Sequence, residues 1–263
     1  MYGKGPYMSY NMEHDILALD FDGVIADSIN ECLFSGYNAY SRFSRRQPVE
    51  TFDHLDDEWI DKARHMRRFI RNGEDYVYIA KALDQGVEVD RQEDFDRFLD
   101  EYHGLQRGFL QAMKNERLST LEQNPTQWHK LNHLYPGMQA FLSTYPNKDN
   151  LCIITTKLLV FVKAILQTHR IEFKEDRLFD TSDGRSKGDI IEDITYDRGV
   201  TAGNFYFVDD QVDTLIKVKS LGIHLYLAAW GYNDAQQHQS AQEHGIPVFQ
   251  LDDFYRTFKH VQG

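Results

Sequence analysis

Residues 16–23 read Ile16-Leu17-Ala18-Leu19-Asp20-Phe21-Asp22-Gly23. The first four form a short apolar run, the pattern of a strand buried on both faces. The run stops at Asp20. Asp20 and Asp22 stand at i and i+2, and on an extended chain such side chains point to the same side. Gly23 follows and allows the backbone to turn sharply and to approach a ligand closely. Two carboxylates aimed at one point repel each other and do not both ionise without compensation. A hard divalent cation supplies it, and Mg²⁺ suits a few carboxylates shared with substrate phosphate oxygens.

Outward from this stretch the chain changes character. From about residue 28 to residue 128 no strand pattern appears. The segment is rich in Arg, Glu, Asp, Tyr and Phe at helical spacing, longest over 57–83 and 91–117, with a break at Asn72-Gly73. Strand patterns return at Leu151-Cys152-Ile153-Ile154, which runs into Thr155-Thr156, and at Asn204-Phe205-Tyr206-Phe207-Val208, which runs into Asp209-Asp210. A third covers 223–228, and a short one near Val248 precedes a helix from Asp253. Helical patterns over 158–168, 188–196 and 212–221 lie between them. Strands alternating with helices predict a parallel sheet covered on both faces. Ligands of such sheets bind beyond the carboxyl ends of the strands. Asp20 and Asp22, Thr155, and Asp209 with Asp210 all fall at such ends.

The stretch Asp20-Phe21-Asp22-Gly23-Val24-Ile25-Ala26-Asp27-Ser28 resembles the first motif of haloacid dehalogenase-type phosphatases, in particular the phosphoglycolate phosphatase and phosphomutase branch. Three more motifs follow in family order. Thr155-Thr156-Lys157 resembles the second, Lys187 in Arg185-Ser186-Lys187-Gly188 the third, and Phe207-Val208-Asp209-Asp210 the fourth. Gly222, twelve residues after Asp210, and Ala229-Trp230-Gly231-Tyr232 are also similar to family members. The resemblance covers about residues 14–30 and 134–255.

The resemblance implies a Rossmann-like α/β core with an inserted all-helical cap: a polar tail over 1–14, the core over 15–28 and 134–263, and the cap over 29–133. It implies hydrolysis of a small phosphorylated metabolite through an aspartyl-phosphate, with phosphomutase or a silent binding protein as the alternatives. Asp20 is then the nucleophile, Asp22 the acid and base, and Lys187 the cation that neutralises the transferring group. Gly23, Thr155, Thr156 and Lys187 bind phosphate. Asp20, Asp22 through its carbonyl, and Asp209 or Asp210 hold Mg²⁺. The spacing back from Gly222 favours Asp210, and the strand end favours Asp209, so both stay as candidates.

The 263 residues carry a formal net charge of −12, which argues against nucleic acid as a partner. Any phosphate site must therefore be locally cationic. No apolar window reaches membrane-spanning length, and the first fourteen residues lack the apolar centre of a signal peptide. Cys32 and Cys152, the two cysteines, each sit in an apolar stretch, which suits a reducing cytoplasm. Arg64, Arg68 and Arg71 fall at helical spacing, and Arg67 and Arg71 are the candidates for contact with a substrate anion. Against that stands an ordinary solvated helix face. His129 and His133 lie four apart without a third ligand in view. The long helical block also offers a face for a homodimer.

Overall fold

The computed structural model describes residues 10–258. The chain divides into two compact units, 1–25 with 136–263, and 26–135. Strand β1 (Ile16–Leu19) belongs to the first, and the second is inserted directly after the turn that follows it.

The inserted unit is helical. It opens with β2 (Ala26–Asp27) and closes with β3 (His133–Leu134), which pair antiparallel with Ala26 opposite Leu134 and Asp27 opposite His133. Between them run α1 (Ile29–Phe43), α2 (Asp57–Met66), α3 (Asp75–Asp84), α4 (Gln92–Glu101), α5 (Gln106–Gln123) and α6 (Pro125–Leu131). Its core is aromatic: Tyr78, Phe95, Phe98 and Phe109 are buried, and the rings of Tyr78 and Phe109 meet edge to face at 4.8 Å. Such pairs contribute about 0.5–1.5 kcal/mol beyond area burial.

The stretch expected to be helical over 57–83 is interrupted more than Asn72-Gly73 alone predicts. Helix α2 ends at Met66, Arg67–Phe69 forms a 3₁₀ turn, and Ile70 is extended. The cause lies in the side chain of Asp75, whose Oδ2 accepts the N–H groups of Arg71 and Asn72 at 2.8 Å each. These local bonds give the backbone an alternative to the helical ladder. The stretch 91–117 likewise breaks at the 3₁₀ turn His103–Leu105.

The other unit continues with α7 (Met138–Thr144), β4 (Leu151–Thr155), α8 (Leu159–Thr168), β5 (Leu178–Asp180), α9 (Lys187–Arg198), β6 (Phe205–Asp209), α10 (Val212–Val218), β7 (His224–Ala228), α11 (Ala235–Glu243), β8 (Val248–Phe249) and α12 (Leu251–Phe258). Its sheet runs β5-β4-β1-β6-β7-β8 with every pair parallel. Alternate residues Ile16, Ala18, Cys152, Ile154, Phe205, Phe207, Leu225 and Leu227 build one core with Ile190, Ile191, Ile194 and Leu215. On the other face the rings of Tyr206 and Tyr226 pack against Phe258 at 6.0 and 5.7 Å. Both faces are thus covered, as a parallel sheet requires.

Two details depart from the sequence pattern. Strand β5 has three residues, too few to display a period. Tyr10, within the stretch read as a tail, packs edge-on to Tyr206 at 4.9 Å and Phe258 at 5.0 Å, and its hydroxyl bonds that of Tyr145. Of that stretch, residues 1–9 lie outside the described residues. Among the described residues no helix is long and apolar enough to cross a membrane.

Candidate active site

Strand β1 lies between β4 and β6, and the chain winds outward from it in both directions, first to β4 and β5, then to β6, β7 and β8. Such a reversal opens a crevice at the carboxyl ends of the central strands. Leu19 pairs with Val208 in register, so the next residues on the two strands, Asp20 and Asp209, emerge side by side. The N–H of Asp20 still donates to Val208 O at 2.9 Å, which holds the nucleophile candidate to the sheet.

Asp20, Asp209 and Asp210 each place a carboxylate oxygen within 4.8 Å of the others. All three are buried, Asp209 completely. Lys187, the first residue of α9, lies between two of them: its Nζ is 3.0 Å from Asp20 Oδ1 and 2.8 Å from Asp209 Oδ2. The start of α9 is set by a capping box, in which the Ser186 side chain accepts the Asp189 N–H and the Asp189 carboxylate accepts the Ser186 N–H. That cap anchors the turn from which Lys187 reaches inward.

The electrostatics are unbalanced as they stand, with three carboxylates around one ammonium. Burial, with the charges of Asp209 and Asp210, raises the Asp20 carboxyl from 3.8 to about 7 against the opposing pull of Lys187 and the Phe21 N–H. Burial by itself disfavours charge on Lys187, yet Asp20 and Asp209 together hold it above the ordinary lysine value. A divalent cation is the group that such a cluster fits. Each of the three offers an oxygen ligand, and a hard dication would offset their combined charge. Asp209 and Asp210 are further steadied by backbone donors: Gln211 N–H to Asp209 Oδ1 and Tyr232 N–H to Asp210 Oδ2, both at 2.8 Å.

Two glycines make room for Asp210. A Cβ on Gly23 would lie 2.1 Å from Asp210 Oδ2, and one on Gly231 would lie 2.3 Å from Asp210 Cβ. Gly23 also has φ +86°, which an L side chain rarely adopts. The ring N–H of Trp230 donates to Val24 O at 3.1 Å, and Asn233 Nδ2 donates to Asp210 O and Ala228 O, each at 2.9 Å. The Ala229-Trp230-Gly231-Tyr232 stretch therefore braces both the turn after β1 and the acidic pair after β6.

Asp22 lies one step apart from this group. Its carboxylate is not among the clustered oxygens; Lys157 Nζ approaches it, 3.2 Å from Oδ1 and 3.4 Å from Oδ2. Thr155 ends β4 and is buried, and its Oγ1 accepts the Lys157 N–H at 3.1 Å; Thr156, next in the turn, is exposed. Sequence reasoning quoted Lys157 only as the end of a motif and gave it no part. Its place two residues after a strand-end hydroxyl was the one available signal. Gly231 and Tyr232 were noticed only as a family likeness, and Asn233 not at all, because their partner, Asp210, is about twenty residues away in the chain.

The arginine candidates look different in three dimensions. The 3₁₀ turn after Met66 removes the continuous helix on which Arg64, Arg68 and Arg71 would share a face. Arg67 is 5% exposed, its guanidinium 5.7 Å from the centre of the Tyr76 ring. Arg71 donates to Arg68 O at 3.1 Å, Ile70 O at 3.0 Å and Gln92 Oε1 at 2.8 Å. Both guanidinium groups are thus engaged in the inserted unit's own packing, and neither is a solvated helix face. His133, on β3, is exposed, and among the described residues it belongs to no group of three ligand-type side chains; the acidic trio is the cluster that could hold an ion.

No protein-family model matches the sequence, and neither does any curated protein. Solved structures do match. A predicted phosphoglycolate phosphatase from Haemophilus somnus superimposes with a TM-score of 0.58 at 15% identity, over 93% of this chain and 97% of that one. The fold is that of the haloacid dehalogenase-like hydrolases. A haloacid dehalogenase-like hydrolase from Streptococcus pneumoniae gives a TM-score of 0.58 at 12% identity, over 94% and 98% of the two chains. A predicted phosphatase from Clostridium acetobutylicum gives 0.54 at 16% identity, over 92% and 97%. At such identities the likeness speaks for the fold.

Proposed function

We propose that the protein is a Mg²⁺-dependent phosphatase that hydrolyses a small phosphomonoester with Asp20 as nucleophile. The observation that carries the reading is the buried trio Asp20, Asp209 and Asp210 with Lys187 set between two of its members, at the ends of adjacent strands. Mg²⁺ would be held by these carboxylates and the backbone carbonyl of Asp22, and when bound it supplies positive charge to the phosphoryl oxygens.

The residues then divide the work. A carboxylate oxygen of Asp20 attacks phosphorus, the Asp20–phosphorus bond forms, and the ester oxygen–phosphorus bond breaks. Asp22 gives its proton to the departing oxygen. In the second half, a water oxygen bonds phosphorus, the Asp20–phosphorus bond breaks, and the water's proton passes to Asp22. Lys187 favours the ionised form of Asp20 against its burial and offsets charge on the transferring group. Thr155 and the N–H groups of the turns at Gly23 and Thr156 bind phosphate oxygens. The motif resemblance and the structural neighbours support a small phosphorylated metabolite as substrate.

The test is hydrolysis of p-nitrophenyl phosphate with and without Mg²⁺. Activity is expected only with the ion, and Asp20→Asn is expected to lower kcat by at least about a thousandfold while its thermal unfolding stays cooperative. Turnover by purified Asp20→Asn at the wild-type rate rules out this nucleophile.

A further inference from the structure

Lys157 has no part in the scheme above, yet it is among the most deeply buried charged side chains of the α/β unit. Its side chain is 1% exposed and that of Asp22 is 20% exposed. An ammonium at this depth costs several kcal/mol to desolvate unless it is paired and hydrogen-bonded. Its Nζ faces both oxygens of one carboxylate, 3.2 and 3.4 Å away. The backbone that carries it is fixed on each side. The Lys157 N–H donates to Thr155 Oγ1 at 3.1 Å, and the Leu159 N–H donates to Asp180 Oδ2 at 2.8 Å, tying the turn to β4 and β5. Asp22, by contrast, stands beyond the end of β1, where the strand ladder no longer fixes the chain.

We propose that Lys157 is the positioning residue for Asp22, holding from the end of β4 the carboxylate that gives a proton to the ester oxygen and takes one from the attacking water. This rests on the phosphatase reading. Lys157 touches no reacting atom in this scheme. A carboxylate held only by its own χ angles samples several rotamers, and a proton donor displaced by about 1 Å loses on the order of a hundredfold in rate. The held carboxylate matters most when the departing oxygen is a poor leaving group that must be protonated as its bond breaks. It matters least when the leaving group is a stable phenolate.

That difference supplies the test. Wild type, Lys157→Met, Asp22→Asn and the double variant are assayed with p-nitrophenyl phosphate and with glycerol phosphate as the alkyl ester. For Lys157→Met, kcat/KM on the alkyl ester, which leaves out the later hydrolysis step that both esters share, is expected to fall about a hundredfold, within the range of general acid catalysis. On the aryl ester kcat/KM falls less than about fivefold. Added to Asp22→Asn, the same substitution lowers the alkyl rate by less than about twofold, because the residue it acts through is already gone. Equal losses on both esters, or a full loss that persists in the Asp22→Asn background, overturn the proposal. A raised KM on both esters with kcat preserved also overturns it and makes Lys157 a phosphate ligand. The aryl rate reports that the variant is folded. Should Lys157→Met fail to fold, Lys157→Gln keeps a neutral donor and is read by the same ratio. Wild-type protein that cleaves neither ester refutes the phosphatase reading itself, a result distinct from an altered ratio between them.

Discussion

At the scale of single residues, the site depends on close approach. The side chain of Asp210 occupies the space in which the Cβ of any other residue at position 23 or 231 would sit, through its carboxylate at 23 and its Cβ at 231. A methyl group at Gly23 would meet Asp210 Oδ2 at 2.1 Å while forcing φ +86° on an alanine. Contact that short cannot be absorbed at a buried carboxylate held by the Tyr232 N–H. Gly23→Ala is therefore expected to displace Asp210 and to weaken Mg²⁺ binding by at least about tenfold, or roughly 1.4 kcal/mol, read from the Mg²⁺ dependence of the rate or by calorimetry. An unchanged Mg²⁺ affinity would detach Asp210 from the metal site and leave Asp209 as the ligand from β6.

At the scale of elements, local side-chain bonds decide where helices start and stop. Ser186 and Asp189 begin α9 and so place Lys187. In the inserted unit, Glu31 on α1 is 1% exposed and bonded by Arg117 of α5 at 2.9 and 3.1 Å and by Ser35 at 2.7 Å. Loss of one partner from such a buried pair costs about 3–5 kcal/mol. Asp75, at the start of α3, offers a pH test free of the site chemistry. Burial raises its carboxyl from 3.8 to about 6, although the N–H groups of Arg71 and Asn72 pull the other way. The folded chain therefore holds a proton that the unfolded chain has released. The resulting stabilisation is fully present below the unfolded value of 3.8 and is lost as pH rises through about 6. Asparagine keeps the acceptor and cannot ionise. Between about pH 4.5 and about pH 7.5 the unfolding free energy of Asp75→Asn is expected to fall by roughly 2 kcal/mol less than that of wild type. Parallel pH profiles of the two proteins in denaturant titrations would show that Asp75 is not the titrating group.

At the scale of the whole molecule, the proposed reaction requires an excess of negative charge to coexist with a site for an anionic substrate. The formal net charge is −12, and the site itself gathers three carboxylates. Local cations must reverse that field, which is the part assigned to Lys187 and Mg²⁺. An ion that binds the folded chain alone stabilises it by about 2.7 kcal/mol at a hundred times its dissociation constant. Mg²⁺ is thus expected to raise the melting temperature of wild type, and Asp209→Asn is expected to lose most of that rise. Sodium chloride at equal ionic strength separates specific binding from screening of the net charge. An equal rise with sodium would show screening alone and remove the metal site from the scheme.

The sequence by itself determined the class of fold and the chemistry of the strand ends. Apolar runs such as Ile16–Leu19 and residues 205–208 are long enough to show that they are buried on both faces, and polar residues at their carboxyl ends need no knowledge of contacts to be noticed. Only the tertiary structure decided which of those ends meet. Register between β1 and β6 brings Asp20 beside Asp209, and the approach of Gly23 and Gly231 admits Asp210 as well, so a choice that counting along the chain left open becomes a shared cluster. The same holds for Lys157 with Asp22, 135 residues apart, and for Arg64, Arg68 and Arg71, whose shared helical face is interrupted where Asp75 bonds the backbone ahead of it. Local pattern reports burial and period, which each residue carries with its near neighbours. Pairing across strands and competition for backbone donors depend on partners that only folding brings within reach.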